Sequence, residues 1–191
     1  MLRILLVFAL VGAIALPAGA TLIRYETPLG LTGSQEFPPN ASTASGTAVA
    51  YYDTETLLFE VNLTWSDLLA PVTAAHIHLG NGPGTNGGIA VNFTFLGIPN
   101  ATSGTFSHVF DLTQETSFLP QFLVNAGGTV DAARETLLAR LNAGDGYFNI
   151  HNSSFPGGEI RGDIHAVVPE PASLALVGIG AALALLRRRL A

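Results

Sequence analysis

The 191-residue chain contains no cysteine. That single absence excludes disulfides, thiolate metal sites and thiol nucleophiles together, and an exported domain built from this sequence is held by packing alone. Lysine is absent as well, so all eight basic residues are arginine. Between residues 21 and 170 only Arg24, Arg134, Arg140 and Arg161 are basic. All fourteen acidic side chains lie in the same span, and four against fourteen gives a net charge of −10. A nucleic-acid partner requires a basic footprint, so that class is excluded. There is no Gly-x-Ser-x-Gly elbow, and the glycine-rich stretch 80–88 lacks the lysine and following helix of a phosphate loop.

What is present begins at the two ends. Residues 1–20 carry Arg3, an apolar run over 4–16, Pro17 and then Ala18-Gly19-Ala20. This order predicts a signal peptide, removed by signal peptidase. The last stretch, 167–191, carries Pro169-Glu170-Pro171, an uncharged apolar run over 172–186 and Arg187, Arg188 and Arg189. A helix over that run spans ~22 Å against a hydrocarbon core of ~30 Å, so its flanks must help it reach across. The three arginines mark the cytoplasmic side and make the tail a transient inner-membrane anchor. The order Pro-Glu-Pro, apolar helix, arginine cluster resembles the PEP-CTERM sorting signal of Gram-negative bacteria. That resemblance implies recognition by an exosortase, cleavage near the motif, and delivery to the cell surface or extracellular matrix.

Between the ends lie about 150 residues, one domain by length, with enough chain to bury a core without staples. Residues 57, 59, 61 and 63 are apolar and alternate with Glu60, Asn62 and Thr64, the period of a half-buried strand. A hairpin turn at 53–56 precedes it. Further strands are expected near 29–37, 72–79, 88–96, 104–112, 146–152 and 159–166, separated by Gly, Pro and Asn. Residues 131–141 differ: Leu137, Leu138 and Leu141 form one helical stripe, Asp131 stands at the positive end of the dipole, and 142–144 stop the helix. A less regular stretch is expected over 113–124. The fold class is therefore mainly β, an antiparallel sandwich or barrel with one or two short helices over 21–166.

Three polar pieces stand out. His76 and His78 are two apart on a strand and so point the same way. Tyr147, Asn149 and His151 share one face of the next piece, and Glu159, Arg161 and Asp163 one face of the third. We expect these groups at one end of the sandwich. His76, His78 and His151 suffice for a zinc or copper site. The alternative is a hydrogen-bond network in which the imidazoles bond Glu159 and Asn149 and Arg161 pairs with a carboxylate.

"LTGSQEFPP" (31–39), "AAHIHLGNGPGTNGG" (74–88) and "YFNIHNSSFPGGEIRGDI" (147–164), with the helix before the last, resemble the CHRD domain. The resemblance spans 29–164 and implies an immunoglobulin-like sandwich or barrel without an assigned activity. The His-x-His strand is also similar to one in copper-zinc superoxide dismutases. The chain has no disulfide, however, and its remaining histidines, His108 and His165, stand in other contexts, so no dismutase is expected. The expectation is a non-enzymatic surface or matrix protein, with exopolysaccharide or other surface proteins as partners. A zinc- or copper-binding envelope protein is the second reading.

Overall fold

The computed structural model describes residues 21–167. The predicted signal peptide, the Pro169-Glu170-Pro171 motif and Arg187 to Arg189 lie outside the described residues. Ten strands run in the order β1 Leu22–Glu26, β2 Leu31–Thr32, β3 Ser45–Asp53, β4 Leu58–Ser66, β5 Val72–Leu79, β6 Gly88–Asn92, β7 Gly104–Asp111, β8 Gly146–Asn152, β9 Ile160–Asp163 and β10 His165–Val167. Two α-helices, α1 Pro120–Asn125 and α2 Val130–Asn142, separate β7 from β8. Among the described residues no helix is long and apolar enough to cross a membrane.

Every strand pairing is antiparallel. Strands β7-β4-β3-β1-β10 form one half of the sheet and β9-β8-β5-β6 the other. The two-residue strand β2 joins them, pairing Leu31 with Gly46 of β3 and Thr32 with Arg161 of β9. The sheet is thus a sandwich-like fold, as the strand pattern predicts. The halves meet through an aromatic group: Phe93 lies 5.4 Å from Phe106, 5.8 Å from Phe110 and 6.2 Å from Phe148, centroid to centroid. Around it Phe59, Val61, Leu63, Ile77, Ile150 and Ile160 are buried. Each such side chain contributes about 1.5–3 kcal/mol on leaving water.

The alternation over 57–63 is observed with one change. Phe59, Val61 and Leu63 face the core, but Leu57 has φ 60° and belongs to the turn. The hairpin turn is where the sequence places it: Asp53 accepts from the amides of Glu55 (2.8 Å) and Thr56 (3.1 Å). Helix α2 starts one residue earlier than expected, with Thr129 Oγ1 accepting from Ala132 N–H at 3.2 Å. Its buried stripe is Ala133, Leu137 and Leu141, while Leu138 is only half-buried. Helix α1 begins inside the stretch expected to be irregular, 113–124, and runs one residue beyond it. Pro120 opens it, and the amide of Leu119 bonds the carbonyl of Ala90 at 2.8 Å, fixing it to the edge of β6.

Strands β5, β8 and β9 depart from simple alternation. From Gly146 to Asn152 every residue but His151 is buried. One face of these strands packs on the core, and the other is covered by the segments 33–44, 80–88 and 153–158. The covered outer face carries the polar groups.

Candidate metal centre

Strand register puts the expected residues together. β8 lies between β5 and β9, with His76 opposite Asn149, His78 opposite Tyr147, Asn149 opposite Arg161 and Tyr147 opposite Asp163. Side chains two apart share a face, so this register assembles a polar layer across three strands. The layer lies on the outer face of the sheet and is roofed by loops through His78–Gly87, His151–Pro156 and Arg161–Thr85.

His76, His78 and His151 each bring one ring nitrogen within 4.8 Å of the others. His76 and His78 are 8% and 9% exposed, and His151 is half-buried. His76 Nδ1 lies 3.2 Å from His151 Nε2. Ligand nitrogens around a tetrahedral zinc with bonds of 2.0–2.1 Å are about 3.4 Å apart, so this pair is already near ligating separation.

Hydrogen bonds fix the tautomers. The Nδ1 of His78 faces the carbonyl of Gly87 at 2.9 Å, and the Nδ1 of His151 faces the carbonyl of Pro156 at 3.0 Å. A carbonyl only accepts, so both Nδ1 atoms carry the proton and both Nε2 atoms keep a lone pair. Metal-bound histidines are oriented by this same second bond. His78 Nε2 is the one buried side-chain polar atom without a hydrogen-bond partner among the described residues. His76 has a choice: its Nδ1–H can donate to His151, or its Nε2–H can turn to Thr94 Oγ1 at 3.5 Å and free Nδ1.

The rings are neutral at ordinary pH. Burial pushes His76 down to about 3, and the neighbouring imidazoles of His151 and His78 add to the shift. Burial likewise pushes His78 down to about 4, opposed by the Gly87 carbonyl and reinforced by His151 and Arg161. Burial also lowers His151. Neutral imidazole is the form a metal binds.

The expected network is corrected in its partners. The imidazoles bond neither Glu159 nor Asn149. Glu159 is fully buried and accepts from Ser42 Oγ at 2.6 Å, from the Leu69 amide at 3.0 Å and from the Asn152 side chain. Asn149 donates to Glu36 at 2.6 Å. Arg161 does pair with a carboxylate, reaching Asp163 at 2.8 and 3.0 Å, and donates to the Thr85 carbonyl at 3.0 Å.

Two further contributors are Tyr147, expected on the polar face with no partner assigned, and Glu36, which was not among the expected site residues. Tyr147 stacks on His78, centroids 4.9 Å apart and 4° from parallel. Its hydroxyl accepts from the Gly87 amide at 3.1 Å. Glu36 is buried, and burial raises its carboxyl to about 7 against the pull of Asn149 and Arg161. The signal for Glu36 was its place in the 31–39 motif, and for Tyr147 its i, i+4 alignment with His151. Two glycines make the roof possible. A side chain at Gly87 would collide with the Leu79 carbonyl, and one at Gly158, at φ 126°, would meet Asn149 and Glu36 at 2.6 Å.

Two family descriptions match the chain: the CHRD domain over residues 28–164 and the PEP-CTERM protein-sorting motif over residues 167–189. No curated protein and no solved structure matches it.

Proposed function

The chain belongs to the CHRD domain family, and from that premise we propose that it is a non-enzymatic, metal-binding protein of the bacterial cell surface or extracellular matrix. Its PEP-CTERM motif marks it for exosortase processing and export to the cell envelope. Signal peptidase and exosortase are its partners during export, and exopolysaccharide or other surface proteins surround it afterwards. The ion is zinc or copper, held by His76, His78 and His151.

One observation carries this reading: His78 Nε2 is buried, bears a lone pair and has no donor. A purely structural network seldom leaves such an atom, because an unsatisfied buried acceptor costs about 1–3 kcal/mol. The rest of the polar layer is satisfied from within the protein, which leaves the histidines as the part that needs a partner. Closure of Nε2 to solvent suits retention of an ion better than turnover of a substrate.

Titration of the purified chain with Zn²⁺ and Cu²⁺, read by melting temperature, tests it. Stabilisation grows with free metal, to about 2.7 kcal/mol at a hundred times Kd, and is lost in His76→Ala/His78→Ala. A chain that gains nothing from either ion, and merely melts lower in the double variant, has a structural histidine cluster instead.

A further inference from the structure

We propose that the three-histidine centre prefers copper(I) to zinc; this rests on the metal-binding reading above. The donor set offers no negative charge. The ligand nitrogens are neutral, and no cysteine is available to add a thiolate. Each nearby carboxylate is engaged elsewhere: Asp163 by Arg161, Glu36 by Asn149, and Glu159 by Ser42 and the Leu69 amide. A full positive charge stands beside the cluster. Arg161 is 1% exposed and covers the face of Tyr147, the ring on which His78 stacks.

Charge decides between the ions. The cost of moving an ion out of water scales with the square of its charge, so a divalent ion pays on the order of four times the penalty of a monovalent one. Neutral ligands return less of that cost than charged ones would, and the Arg161 field adds to it, with Asp163 offsetting only part. Coordination number points the same way. Zinc held by three protein ligands takes a water as its fourth, whereas His78 Nε2 is closed to solvent. Copper(I) needs only two or three donors, and imidazole suits copper as it suits zinc. Even in the divalent state copper outranks zinc for a given nitrogen site.

Competition titrations on the purified full chain separate the possibilities. Copper(I) is delivered anaerobically against a colorimetric copper(I) chelator, and Zn²⁺ against a fluorescent zinc chelator. One copper(I) per chain is expected, with Kd at least about a thousandfold below that of Zn²⁺. X-ray absorption of the loaded protein should show nitrogen scatterers only. His78→Ala should raise the copper(I) Kd at least about a hundredfold. The half-buried His151→Ala does the same if His78→Ala fails to fold. Zinc binding as tight as copper(I), or tighter, overturns the preference and leaves the metal-binding reading standing. Binding of neither ion overturns both.

Discussion

The guanidinium carbon of Arg161 lies 3.6 Å from the ring centroid of Tyr147, and His78 stacks on the same ring from the neighbouring strand. β8 runs between β9 and β5, so Tyr147 is held between a cation and an imidazole. The planar fork of Arg161 serves three partners at once: the ring, Asp163 and the Thr85 carbonyl. Lysine cannot reproduce a stacked, bidentate arrangement. Arg161→Lys should therefore destabilise the domain by about 2–4 kcal/mol, read from the urea midpoint. Tyr147→Phe keeps the ring and loses only the Gly87 bond, at about 1 kcal/mol. A lysine variant as stable as the tyrosine variant would show that the stack contributes little.

Much of this layer was legible in the sequence because strand geometry is simple. The i, i+2 spacing of His76 and His78 places them on one face whatever the fold, and the motif 147–164 supplies His151, Arg161 and Asp163. What could not be read was which loops roof that face. Glu159 illustrates it. Its sequence neighbours are Gly158 and Ile160, yet its carboxylate bonds Ser42 and Leu69, 117 and 90 residues away. Such partners follow from tertiary packing and leave no local periodicity. The first strand, Leu22–Glu26, was missed for another reason. Its buried member is Tyr25 alone, with Leu22 exposed and Arg24 and Glu26 paired at 2.7 Å, so its alternation is faint.

Glu36 makes stability depend on pH with a definite sign. Its folded value of about 7 lies above the ordinary 4.5, so the folded state holds the proton more tightly than the unfolded one. The stabilising contribution is full below about 4.5 and is lost as pH rises through about 7. Arg161 favours the ionised form, whereas Asp163 and Tyr147 in the same layer do not offset burial. Glu36→Gln can still accept from Asn149 and carries no charge. It should gain about 1–2 kcal/mol on wild type at pH 8.5, after allowance for partial solvation, and almost nothing at pH 4.5. Urea midpoints at the two pH values measure this. An equal effect at both would mean that the carboxyl is not held neutral.

Glu159 ties two loops and the end of a strand to one carboxylate. Ser42 comes from the 38–44 segment, Leu69 from the link between β4 and β5, and Asn152 from the end of β8. Glu159→Ala takes the acceptor from the partly buried Ser42 hydroxyl and the Leu69 amide, while the Asn152 side chain keeps the Ala70 carbonyl, so a loss of about 1–3 kcal/mol is expected. Amide exchange gives a local check. The Leu69 amide should lose protection more than amides of β4, whose ladder bonds are untouched. Uniform loss of protection would mean that the variant opens globally.

The last prediction concerns the tail. The described domain ends at Val167, where β10 pairs with the edge of β1 through Arg24, two residues before Pro169. The sorting motif begins at residue 167, so a cut beyond the Pro-Glu-Pro triplet leaves every described strand intact. The protein recovered from the cell surface should lack residues 172–191, together with all three of the arginines at 187–189. Intact mass spectrometry of surface-extracted protein reads this directly. Pro169→Ala/Pro171→Ala removes the recognition element without touching the folded domain. The variant should keep the tail, stay with the inner membrane and melt with the wild-type midpoint. Surface protein that still carries Arg187 to Arg189 would mean that delivery does not require processing.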